Sequence, residues 1–439
     1  MKREFWSRLL FILAILLPMA VLFLMPGVGM LGGGWFWLLL LLTFWLSWAA
    51  LGKPEDAVAE GAPAAEAEPR MILPQEEPKV VDEVMDVKVA IEQSGAQCYR
   101  GRLREPASAA FEKLKRALPT DTVPLVQEDE LGAAIVLAAG SAAADKPIRP
   151  WLHWLLFALT VVTTTWAGAA HQGVNLLREP DRFAVGLPYS LGLLAILGIH
   201  ELGHYFAARR HGMRVTPPYF IPLPFALGTF GAFIQMRSPS ENRRALFDVA
   251  VAGPLAGLAV AIPALLIGLK SSVIIPGNAA PAGEMMGGTS VGSSVLFAIL
   301  SKLALGGAME DGHLVRLSPL AFAGWLGLFI TALNLLPIGQ LDGGHVARAM
   351  FGGRTGGTIS SAAMWSLFLL GIFVWPGLLT WAIIVFFIAG RGASPLDDIS
   401  PVTPGRLRLG YFTFAILASI LIPLPHSLWQ AAGIHCPYL

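Results

Sequence analysis

Charge is what this chain has least of. Only 14% of its 439 residues are Asp, Glu, Lys or Arg, against about a quarter in a soluble globular protein. Together with 55% hydrophobic residues, gathered in several apolar runs of about 20, the shortfall excludes an ordinary water-soluble fold. Cysteine is nearly missing too. Cys98 and Cys436 lie far apart, with no CxxC or Cys/His spacing, and so offer neither a disulfide framework nor a thiolate-ligated zinc site. The net charge is +1, and no nucleotide or nucleic-acid motif is present, so nucleic acid is not an expected partner. An internal repeat, the mark of many secondary transporters, is also lacking.

What is there is hydrocarbon. In a bilayer the backbone must satisfy its own hydrogen bonds, and the runs predict an all-α polytopic membrane protein of about nine transmembrane helices. Lys2, Arg3 and Arg8 precede an apolar run at 9–25, and a second run follows at 35–51. No clean small-x-small cleavage site separates them, so residues 1–52 read as a retained hairpin with a cytoplasmic N-terminus. Residues 53–79, rich in Ala, Glu and Pro, read as a flexible linker.

Residues 80–149 have ordinary soluble content and predict a small cytoplasmic α+β domain. Residues 84–89 alternate as a strand does, Ala110, Phe111, Leu114 and Leu118 recur at helical spacing, and 133–137 read as a buried strand. Glu128-Asp129-Glu130 reads as a solvated turn. Arg100, Arg102 and Arg104 alternate along a face that is solvated or turned to anionic lipid headgroups.

A core at 150–354 and C-terminal transmembrane helices at 355–439 follow. Spans are expected at 151–169, 183–210, 246–269 and 317–336, as a tight pair around Pro376, and at 409–424. The apolar stretch 295–305 is too short to cross and reads as interfacial or re-entrant. Residues 217–236 hold Pro217, Pro218, Pro222, Pro224, Gly228 and Gly231. They predict a re-entrant loop or hairpin, which survives at membrane depth only when buried in protein or lining a wet cavity. A strand edge there could pair with an unwound substrate.

The chemistry centres on His200-Glu201-Leu202-Gly203-His204. Four-residue spacing puts both imidazoles on one helix face, able to hold one metal ion, with Glu201 in reach of a water on it: the HExxH arrangement. Ionisable groups at membrane depth cost at least about 2.5–3.5 kcal/mol each on insertion scales. Three within five positions need a compensating partner, which a divalent cation supplies. Gly203 leaves its face bare for another backbone or a substrate. Arg209, Arg210 and Arg214 mark the cytoplasmic end.

Two histidines leave a catalytic zinc one protein ligand short. Asn334-Leu335-Leu336-Pro337-Ile338-Gly339-Gln340-Leu341-Asp342-Gly343-Gly344-His345 ends a later span that descends in the same direction. Pro337 should stop the helix, Gly343 and Gly344 let the chain turn, and Asp342 can then swing onto the metal. His345 is a weaker ligand candidate. Asn334 could donate a hydrogen bond to an oxyanion, or pack or cap.

The paired stretches, HExxH at 200–204 and NxxPxxxLDG at 334–343, resemble the site-2 protease family of intramembrane zinc metalloproteases. The stretch 252–257 (AGPLAG) and the Gly228–Gly231 region between them are also similar. The likeness is greatest to the plant chloroplast members and their bacterial relatives, which lack PDZ modules; no PDZ-like insertion separates the two stretches here. The resemblance implies one Zn2+ held by His200, His204 and Asp342, catalysis by Glu201, a membrane-spanning helix of another protein as substrate, and the lipid bilayer as setting, taken as a bacterial inner membrane. A metal transporter or channel using the same His/Asp site, and a proteolytically silent scaffold, are the competing expectations.

Overall fold

The computed structural model describes residues 70–72, 78–93, 95–139, 147–224, 226–276, 294–306, 313–373, 376–388, 390 and 394–422. The N-terminal hairpin at 1–52, most of the linker and the tail from 423 lie outside them.

The first described element group is a five-stranded sheet with two helices. β1 is Arg70–Met71, β2 Met85–Gln93, β3 Ala96–Leu103, β4 Thr122–Asp129 and β5 Gly132–Ala139, in the order β1-β2-β3-β5-β4. α1 (Lys79–Val84) and α2 (Ala107–Ala117) share its core. Val84, Met85, Tyr99, Ala110, Phe111, Leu114, Val126 and Ile135 form its core. The alternation at 84–89 and the helix over 106–118 fall where expected. β4 escapes sequence reading because Pro124 interrupts it. An edge strand tolerates proline, and this edge is then closed by a bridge between Val126 and Asp397. Glu128 and Asp129 end β4 at the turn into β5.

The other described residues are mostly helical. α3 spans Pro150–His171, and a 3-10 turn at Pro180–Gly186 leads into α4, Leu187–Arg210. α5 is Arg243–Lys270, α6 Val295–Leu305, α7 Pro319–Leu335, α8 Asp342–Phe373, α9 Pro376–Ile388 and α10 Pro404–Leu421. Starts are marked chemically: Asn242 Oδ1 accepts from Ala245 N at 3.0 Å, and Ser318 Oγ from Ala321 N at 3.3 Å, each satisfying a free N–H of a first turn. Among the described residues four helical stretches are long and apolar enough to cross a membrane: Pro150–His171, Pro180–Arg210, Arg243–Lys270 and Asp342–Phe373. α6 and α7 are apolar but shorter. The chain is a mostly helical membrane protein.

α5 is the hub, packed against α4, α7, α8 and α6. Leu258, Ala261, Leu265 and Leu269 bury one flank of it with Ile196, Phe297 and Leu328. The Pro/Gly-rich stretch between α4 and α5 forms a hairpin, β6 (Tyr219–Pro222) with β7 (Thr229–Phe233). Its tip is tied to two helices. Thr163 Oγ1 donates to Gly228 O at 2.6 Å and Tyr189 OH to Leu227 O at 2.9 Å. Non-helical backbone is therefore satisfied against protein, as membrane depth demands. Another short pair, β8 (Val273–Pro276) and β9 (His313–Arg316), links the ends of α5 and α7.

α8 is two helical segments meeting at Gly352, whose φ of 86° and ψ of 173° break the helix. Only glycine adopts that region without strain. Gly352→Ala is expected to cost about 1–3 kcal/mol, read as a lower midpoint of thermal unfolding in detergent; an unchanged midpoint would contradict the break.

Candidate metal centre

Three elements deliver the site. α4 carries His200, Glu201 and His204, all buried. α7 ends at Leu335, one residue past Asn334, and Pro337 lies in the short connection that follows. Asp342 then opens α8. A carboxylate in a first turn is favoured by the helix dipole. The turn closes tightly because Gly343 and Gly344 lie against main-chain oxygens of Leu335 and Gly339, where a β-carbon would overlap.

Nε2 of His200 and Nε2 of His204 are 3.1 Å apart. Each lies 3.3 Å from Oδ2 of Asp342. A cation with bonds of about 2.0–2.1 Å in tetrahedral geometry holds its ligand atoms about 3.3 Å apart, so the triangle has the size a zinc-like ion needs. The donor chemistry fits as well. His204 Nδ1 lies 2.8 Å from Val249 O; a carbonyl only accepts, so Nδ1 carries the proton and, in the neutral ring, Nε2 presents a lone pair. Converging lone pairs and a carboxylate oxygen repel one another unless a positive charge lies among them. Among the described residues this group contains three side chains, His200, His204 and Asp342.

α5 makes room for the rings. A β-carbon at Gly253 would overlap the His204 ring, and one at Gly257 would lie 3.1 Å from His200 Nδ1. At Gly203 the nearest atom to such a carbon is Ala252 O, at 2.6 Å, so the bare face of α4 receives α5. Small residues at 252–257 suggest close helix contact in sequence; that they seat the two imidazoles does not follow from spacing alone.

The other predicted residues lie around this group. Glu201 is 8% exposed, one residue round the helix from His200. Asn334 Nδ2 is 3.4 Å from His200 Nε2, at the edge of hydrogen-bonding range. His345 stands outside the three-residue group, and its Nδ1 is buried without a partner. Val249 could not be found from sequence, because its contribution is a main-chain oxygen that any residue supplies.

Residues 188–375 match Peptidase family M50, a stretch that contains every residue of the site. A protein of Oryza sativa subsp. indica named "Probable zinc metalloprotease EGY2, chloroplastic" is 30% identical over 346 residues, 75% of this chain and 62% of its own. The rice (subsp. japonica) protein named "Probable zinc metalloprotease EGY1, chloroplastic" is 34% identical over 376 residues, 76% of this chain and 64% of its own. Its Arabidopsis thaliana namesake is 32% identical over 375 residues, 76% of this chain and 67% of its own. The chain thus spans under two thirds of the first of these relatives.

The seating of His204 against Gly253 is testable. Gly253→Ala should weaken divalent-metal binding by about tenfold or more with little change in helix content, measured by chelator competition and circular dichroism. Equal affinity would show that the ring has room to spare.

Proposed function

The chain belongs to Peptidase family M50, and from that membership and the site's geometry we propose that it is a zinc metalloprotease hydrolysing peptide bonds within or near membrane-spanning segments of other proteins. The observation that carries the reading is the convergence of His200, His204 and Asp342 beside a buried glutamate, in helices of membrane-spanning length. A zinc ion bound by those three residues supplies Lewis acidity, which acidifies a water and polarises a carbonyl.

The protein's own groups do the rest. Glu201 takes a proton from the attacking water and returns it to the leaving amide nitrogen. Asn334 donates from its amide to the oxygen that gains charge on the scissile carbonyl. Asp342 and the two histidines would hold the ion. The substrate helix must unwind, since an intact helix shields its carbonyls. The β6–β7 pair favours that state: it offers a strand to which an extended segment can add, and Phe230 and Phe233, both exposed, give it an apolar surface.

The same reading covers topology. Arg209, Arg210 and Arg214 beyond His204 support a cytoplasmic face for the zinc end, with the N-terminus on that side. About nine spans are proposed, two of them in a hairpin at 1–52, with a linker at 53–79, a cytoplasmic domain at 80–149, the protease core at 150–354 and further spans in 355–439. The proposed setting is a bacterial inner membrane; "chloroplastic" belongs to the names of the plant relatives.

Glu201→Gln is expected to keep its zinc and to lose cleavage by about 10²–10⁴-fold. Metal analysis and cleavage of a synthetic transmembrane peptide in proteoliposomes measure both, and proteolysis at the wild-type rate would remove the mechanism. Asp342→Ala should instead lose zinc.

A further inference from the structure

Arg348 lies on the same helical segment of α8 as Asp342, before the break at Gly352. Its Nη2 donates to Asp398 Oδ2 at 2.7 Å and to Ser394 Oγ at 2.6 Å. Both acceptors belong to a strap, residues 394–400, between α9 and α10.

The strap is fixed on two further sides. Leu396 N donates to Ser240 O and Asp397 N to Glu241 O, both at 2.9 Å, immediately before α5. On the other side Val126 N donates to Leu396 O at 2.7 Å and Asp398 N to Val126 O at 2.9 Å, so the strap completes the β4 edge. Leu396 and Ile399 pack on the core of the α+β domain. Arg243, in the first turn of α5, is buried. Its Nε donates to Ala349 O at 2.8 Å and its Nη1 to Ile399 O at 3.4 Å. Sheet, strap, α5 and the first segment of α8 are therefore joined through discrete polar atoms.

Stability alone does not account for such a cluster. A part-buried ion pair such as this, its side chains 23% and 6% exposed, adds little net stability over apolar packing of the same volume. Here Arg348 Nε and Asp398 Oδ1 are also buried without partners, a further cost. Burial pushes the Asp398 carboxyl above its ordinary range, and the chief opposing influence is Arg348. What discrete bonds give, and apolar contact does not, is one fixed register. The molecule leaves space for that register at Gly353, where a β-carbon would lie 2.7 Å from Asp398 Oδ2. The short α8 segment is thus gripped near its break while its other end presents Asp342 to the histidines.

We propose that Arg348 and Asp398 are positioning residues of the metal centre, clamping the first segment of α8 to a strap shared with the α+β domain and so holding Asp342 in place. This rests on His200, His204 and Asp342 being a metal site. It also gives the domain at 80–149 a structural role, since the β4 edge anchors the strap and loss of that anchor loosens a ligand.

The experiment measures zinc affinity of the full chain in detergent by chelator competition. Asp398→Asn and Arg348→Met are expected to weaken binding about ten- to hundredfold, the range for groups that orient a ligand. Arg348→Lys should recover most of the loss, because one nitrogen makes both bonds. Lys115→Met, which cuts the exposed contact with Glu241 outside the strap, should leave affinity unchanged. Wild-type affinity in Arg348→Met and Asp398→Asn overturns the proposal and leaves the metal site standing. Equal losses in Arg348→Lys and Lys115→Met also overturn it, since they would mark general loosening. A wild-type chain that binds no zinc overturns the site itself. If Arg348→Met does not fold, the isosteric Asp398→Asn carries the test.

Discussion

Two imidazole nitrogens and a carboxylate oxygen, 3.1–3.3 Å from one another inside a bundle of apolar helices, are the constraint on which the structure turns. Each group alone would be expensive at that depth, and together they repel. A bound cation converts the cost into a binding site, and much of the surrounding architecture serves to keep the three atoms at that spacing. α5 yields side-chain volume at Gly253 and Gly257, the α7–α8 turn is shortened by two glycines, and the hairpin after α4 is sealed against α3 and α4. Helices from distant parts of the sequence meet here: α4 brings two donors and α8 the third.

The apolar helices were legible because hydrophobic length is a direct physical signal. α3, α5, α7 and α10 fall within a few residues of the apolar runs, and 295–305 forms a helix of the expected short length. The proline-rich stretch at 217–236 was also readable, because four prolines forbid a regular helix while its hydrophobicity keeps it against protein. The α+β domain was only half visible. Strand β2 and helix α2 carry periodic patterns and β5 a short apolar run, but β4 contains Pro124 and draws part of its pairing from residues 396–398, far along the chain. A strand completed by a remote strap leaves no local pattern.

At the site, the residues that carry charge were readable and those that arrange them were not. His200, Glu201, His204 and Asp342 stand out because ionisable groups are rare in such surroundings. The Val249 carbonyl is invisible because it is main chain. Arg348 and Asp398 carry no local signal, since their pairing joins segments about fifty positions apart. Long-range polar contacts have no periodicity, which is why spacing arguments find ligands more easily than the groups that hold them.

The hydrogen bond from His204 to the Val249 carbonyl has an evolutionary side. A main-chain acceptor persists through any substitution at 249, so the tautomer that frees Nε2 is insulated from ordinary sequence drift. The seat at Gly253 has no such protection, because the smallest added methyl intrudes on the ring. Variation in this centre is therefore channelled: its electronic character is robust and its steric fit fragile, and lineages altering metal preference would be expected to do so by reshaping α5 rather than by rewiring the imidazole.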